Sequence, residues 1–123
     1  MRDYIHTNVW VAFFILMALA TNVGFIYSWS GIALFFATIF NIIATLIKYR
    51  TKVKTILGEI SFAASLVAVL HLVTSCLIIL IAGGVFIQLE PEKITSLLAV
   101  GFAMGALIVN ILSVAILVLE STR

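Results

Sequence analysis

The sequence predicts an all-α polytopic membrane protein: four transmembrane helices in two antiparallel hairpins, with both termini cytoplasmic. Three observations predict it. Of 123 residues, 64% are hydrophobic and 10% charged, whereas about a quarter of a soluble domain's residues are charged and cover its core with a polar shell. The apolar residues fall in long runs separated by short polar breaks. Lys48, Arg50, Lys52 and Lys54, four of the seven Lys and Arg residues, stand together between two apolar halves, and clustered basic residues beside a span set its orientation.

The elements follow in order as one transmembrane domain, residues 1–123. Residues 8–27 carry no charge, and about 20 helical residues cross a hydrocarbon core of about 30 Å. Thr7 or Asn8 suits the N-cap. Arg2, the apolar run and Ala18-Leu19-Ala20 imitate a secretion signal, but the run continues to Tyr27 and is read as an uncleaved span. Ser28-Trp29-Ser30 breaks it, with Tyr27 and Trp29 as interfacial anchors. Span two, 31–47, is short, and Lys48 is expected to snorkel outward and lengthen it.

The basic stretch 48–55 follows as a loop. Span three is predicted at 57–88, longer than a bilayer needs and so tilted or projecting. Gly83-Gly84 marks a place where it can bend. Glu90-Pro91-Glu92 suits the start of a helix, and span four is placed at 94–119. With the N-terminus inside, one side holds Arg2, Lys48, Arg50, Lys52, Lys54 and Arg123 and the other only Lys93. Six against one predicts a multi-pass protein with both termini cytoplasmic. Asn41-Ile42-Ile43 and Asn110-Ile111-Leu112 form a faint echo between the halves, as in a parallel repeat.

At three- and four-residue spacing each span shows one small, polar stripe. It runs through Asn22 on span one and through Thr38, Asn41, Thr45 and Lys48 on span two. On span three it takes Ser61, Ser65, His71 and Ser75, and on span four Ala99, Ala103, Ala106, Asn110 and Ser113. Facing stripes act as helix–helix glue or as a hydrophilic route in which Asn, Thr and Ser replace part of an ion's hydration shell. Asn22, Thr38, Asn41, Thr45, His71, Ser75, Asn110 and Ser113 are the interior or pore candidates. His71 is the titratable residue nearest mid-span, a functional candidate by default; the plainer alternative is an imidazole hydrogen-bonded to a neighbouring Ser or Asn. Glu59, Glu120 and Lys48 fall together at the cytoplasmic interface and are read as helix-end anchors, with ion pairing among them as the alternative.

Gly101 and Gly105 form a GxxxG pattern well off the polar stripe of span four, which suggests a face for another subunit. Cys76, the single cysteine, lies in an apolar run and reads as a buried, inert thiol. The sequence shows no phosphate-binding, zinc-ligand or triad motif. An enzyme is not expected, and neither a metal, a cofactor nor a nucleic-acid partner is implied.

Four stretches carry a family resemblance: Asn22-Val23-Gly24-Phe25, the run from Ala33 to Lys48 ending in Asn41-Ile42-Ile43-Ala44-Thr45-Leu46-Ile47-Lys48, Ala64-Ser65-Leu66-Val67-Ala68, and Asn110-Ile111-Leu112-Ser113-Val114. The chain resembles an uncharacterised family of small four-span proteobacterial inner-membrane proteins, catalogued as a domain of unknown function. The resemblance covers most of the chain and implies a bacterial inner-membrane location and this fold, but no activity. In that family an acidic residue follows the Ser-Leu-Val-Ala run. Here the position is Val69, with His71 two residues on, which weakens any role resting on an intramembrane carboxylate.

Two functions are consistent with these residues. One is a transport-associated oligomer, an ion-conducting helical bundle lined by Asn, Thr and Ser. The other is a non-conducting accessory or scaffold subunit docked on a partner membrane protein. Both place the chain in the lipid bilayer.

Overall fold

A computed structural model describes residues 2–51, 55–84 and 88–121, with side chains between Val9 and Leu119. Four helices follow one another: α1 (Arg2–Ser28), α2 (Gly31–Thr51), α3 (Ile56–Ala82) and α4 (Ile94–Ser121). Each holds a segment long and apolar enough to cross a membrane: Val9–Ser28, Gly31–Thr51, Ile56–Ala82 and Ile94–Leu119. Such segments suit lipid because a helix satisfies its own backbone groups where water cannot.

The helices pack in a ring: α1 on α2, α2 on α3, α3 on α4, and α4 back on α1. Burial inside the ring inverts that of a soluble protein. Asn22, Asn41, Ser65, Ser75, Asn110 and Ser113 are fully buried, while Leu70, Ile81 and Ile108 are largely exposed. Water would drive those large side chains inward, whereas lipid leaves small residues to bring the backbones close. Trp10, Phe13, Phe14, Phe36 and Phe40 stack in a chain of ring contacts along the α1–α2 face.

Helix boundaries differ from the sequence expectation in three places. α1 begins at Arg2, so Thr7 and Asn8 lie within the helix instead of capping it. α2 runs on through Lys48 to Thr51, making the first half of the expected basic loop helical. Lys52 and Lys54 lie outside the described residues, as do the side chains of Arg2, Glu120 and Arg123. The span expected to continue to Gln88 ends at Ala82, where Gly83 and Gly84 take φ of 155° and 105° and both backbone N–H groups turn back to the Ile79 carbonyl. The tandem glycines thus stop α3, because they enter a region that side chains disfavour. α3 starts with Thr55 as N-cap, its hydroxyl accepting from the Gly58 N–H at 2.9 Å, and Glu59 in the first turn complements the helix dipole.

At the end formed by the α1–α2 turn, Trp29 adopts φ 60° and reverses the chain between two helices. Gln88 and Leu89 lie across this turn. Ser30 and Gln88 form an antiparallel bridge, the Leu89 N–H donates to the Trp29 carbonyl at 2.9 Å, and the Gln88 amide donates to the Ser28 carbonyl. Leu89 is buried beside Phe25 and Leu34 in the larger apolar cluster. Glu90 and Lys93 pair at 3.5 Å in the turn before α4.

Candidate functional site

The polar residues of the stripes have separate fates. Asn22 ties α1 to α4, its amide donating to the Ala103 carbonyl at 3.0 Å. Ser75 ties α3 to α4 through the Ala99 carbonyl at 2.6 Å. Thr38 bonds its own Leu34 carbonyl at 2.9 Å and meets Cys76 Sγ at 3.1 Å, joining α2 to α3. Thr45 bonds back to the Asn41 carbonyl at 2.8 Å.

Lys48 departs most from the sequence expectation. Its side chain turns inward between α2, α3 and α4. Nζ donates to the Ser61 carbonyl at 3.1 Å, to Ser65 Oγ at 2.6 Å and to Ser113 Oγ at 2.6 Å. An ammonium has three donors and no acceptor, so these three neutral oxygens satisfy it completely. Ser65 and Ser113 are fully buried and Ser61 is nearly so. Among the described residues no carboxylate lies within ion-pair distance of this nitrogen; the described pair is Lys93–Glu90. The expected outward snorkel loses because an amphipathic stem leads a charged head to whatever polar groups it can reach. Here those groups are the serines of α3 and α4.

Elsewhere in the interior the buried asparagines retain unmatched atoms. Asn22 Oδ1 and Asn41 Oδ1 have no partner, and Asn110 has none at either amide atom. Asn41's Nδ2 reaches only its own helix, at 3.4 Å from the Ala37 carbonyl. Buried polar groups are ordinarily bonded, and these atoms on α1, α2 and α4 have no partner among the described residues. Asn110 is one turn from Ser113 and Asn41 two turns from Lys48, on the stripes that carry the cage.

His71 stands apart from the cage. Its Nδ1–H donates to the Val67 carbonyl of its own helix at 2.8 Å. Its ring lies against Phe102, with centroids 5.8 Å apart, and is half-buried. In place of the expected hydrogen bond to a neighbouring Ser or Asn, the ring covers Gly105, where an added Cβ would come within 2.8 Å of Cδ2. Gly105 therefore makes room for His71 inside the bundle, whereas a Cβ on Gly101 would meet nothing within 4 Å. The two glycines face different surroundings.

Sequence reasoning placed Lys48 on the polar stripe of span two but assigned its charge to the boundary. The signal that would have found the site is the seven-residue step from Asn41 to Lys48 through Thr45, facing Ser61 and Ser65 at the matching end of α3. Arg50, two residues on, is exposed. Among the described residues no three His, Cys, Asp or Glu side chains converge as a metal site would need.

No curated protein and no solved structure matches the chain. Residues 28–121, which contain α2, α3, α4 and every group bonded to the Lys48 ammonium, match the profile of a family of unknown function, DUF6394, and the chain belongs to that family.

Proposed function

We propose that this protein is a transport-associated integral membrane protein that works as an oligomer and handles an ion within the polar interior of its bundle. The observation that carries the reading is the Lys48 ammonium, held between three helices by neutral oxygens. Glue between helices needs small residues and neutral hydrogen bonds; it does not need a charge. Among the described residues no carboxylate meets this nitrogen; a charge held inside a bundle by neutral groups alone is costly, and ionisable residues within spans mark ion and proton routes. The unmatched amide atoms of Asn22, Asn41 and Asn110 add polar groups through the same interior.

The orientation that accompanies this reading is two antiparallel hairpins in a bacterial inner membrane, with both termini and the basic stretch cytoplasmic, on the six-to-one division of Lys and Arg. A cysteine introduced at Lys52 in a Cys76→Ser background should resist an impermeant thiol reagent in intact cells, and one at Glu92 should react; the reverse pattern refutes the orientation. The functional reading is tested by ion flux in liposomes containing the purified protein. Flux above empty liposomes that falls in Lys48→Met supports it; no flux for any ion tested overturns it.

The second reading, an accessory subunit, is favoured by the open face at Gly101, where a neighbouring helix can approach the backbone without displacing any side chain of this chain. It predicts co-purification of a partner membrane protein that Gly101→Leu abolishes, with no flux from the protein alone.

A further inference from the structure

We propose that the Lys48 cage is a binding site for a small monovalent anion of the halide class. The inference rests on the transport reading only in naming the ion; as a binding site it stands or falls by itself.

The chemistry of the donors points to an anion. Ser65 Oγ and Ser113 Oγ each accept a hydrogen bond from Nζ. A hydroxyl that accepts in this way keeps its own O–H to donate, and the ammonium orients the hydroxyl so that the hydrogen points away from it. Neither hydroxyl donates a bond to a described residue. One lone pair of each oxygen serves the ammonium, and the positive charge of the ammonium repels a cation from the other. What they offer beyond the cage is two polarised O–H donors.

Asn110 supplies the independent observation. It lies one turn from Ser113 on the same stripe, has 0% of its surface exposed, and its Nδ2–H groups have no acceptor. The fold thus places on neighbouring turns one positive charge, two serine O–H groups and one amide whose Nδ2 and Oδ1 are both unmatched, with no carboxylate at ion-pair distance of the ammonium among the described residues. A single negative charge neutralises it, whereas a divalent anion would leave an excess. The anion sits beyond the serines, bonded to Ser65 and Ser113 through their hydrogens and to Asn110, with the ammonium behind them. Lys48 lies one turn from the end of α2. The exposed Arg50 beside it belongs to the basic stretch, whose field raises the local concentration of anions.

The test is bromide binding to the full-length protein in detergent, read from the broadening of the bromide NMR line and its reversal by excess chloride. Saturable broadening is expected for the wild type. It should vanish in Lys48→Met and weaken by roughly tenfold in affinity in Ser113→Ala and in Asn110→Leu, since each removes a donor to the anion. Arg50→Gln should change it little. Should Lys48→Met not fold, the Ser113 and Asn110 variants carry the same test. Absence of saturable broadening overturns the site, as does broadening lost in Arg50→Gln and kept in the other three. The two proposals separate cleanly. Halide binding without flux of any ion refutes transport and leaves the site standing; cation flux without halide binding does the reverse.

Discussion

Lys48 and His71 are both ionisable residues on predicted polar stripes, and the bundle treats them in opposite ways. His71 lies near the middle of a span, bonds to its own helix at Val67 and rests half-buried in the α3–α4 groove over Gly105. Lys48 lies near the end of a span yet reaches two other helices. Depth along a helix therefore does not decide whether a polar side chain is interior. Its angle around the helix and the partners within reach decide it. On α3 the fully or nearly buried positions are Ser61, Ala64, Ser65, Ala68, Leu72, Ser75 and Ile79. Leu72, next to His71, takes the interior place, and one residue rotates a side chain about 100° around a helix.

The contrast can be broken from the Lys48 side with the largest effects. Lys48→Glu sets a carboxylate against the Ser61 carbonyl, where no other described cation is bonded, and should destabilise the protein by roughly 3–5 kcal/mol, the scale of an uncompensated buried charge; loss of folded protein on size-exclusion chromatography would show it. Ser113→Ala leaves the ammonium one acceptor short and should cost about 1.5–3 kcal/mol in unfolding free energy. Asn22→Ala removes a neutral tie from α1 to the Ala103 carbonyl, and about 1 kcal/mol is expected.

The His71 side should give smaller effects. In Gly105→Ala the new methyl meets the imidazole, and the ring can swing away, so the cost should stay below about 1.5 kcal/mol. The ring contact with Phe102 should be lost, visible as shifted His71 and Phe102 proton resonances. Gly101→Ala meets nothing in the bundle and should stay within about 0.5 kcal/mol of the wild type. A larger loss at Gly101 would show that another helix occupies that face.

Much of this architecture was legible in the residues. Long uncharged runs bounded by Ser28-Trp29-Ser30, the basic stretch and Glu90-Pro91-Glu92 place all four helices. Small and polar positions at helical spacing identify Asn22, Asn41, Ser75, Asn110 and Ser113 as interior, and they are fully buried. Two of the features that were not legible have a plain physical reason. Whether Gly83-Gly84 bends a helix or ends one depends on its dihedral angles, which tandem glycines leave open. Lys48 was ambiguous because a long, flexible stem can carry its charge outward to water or inward to oxygens. The stripe on α2 names Lys48 as a member; only the register of α3 and α4 brings Ser61, Ser65 and Ser113 to its nitrogen.

The inward turn of Lys48 is the central claim, and a double-mutant cycle between Lys48→Met and Ser113→Ala tests it most directly. If the ammonium is bonded to Ser113, the serine loses most of its worth once the lysine is gone. The double variant should then be more stable than the sum of the single losses by at least about 1 kcal/mol. Losses that add within about 0.3 kcal/mol would mean that Lys48 and Ser113 do not touch and that the lysine reaches outward to the interface.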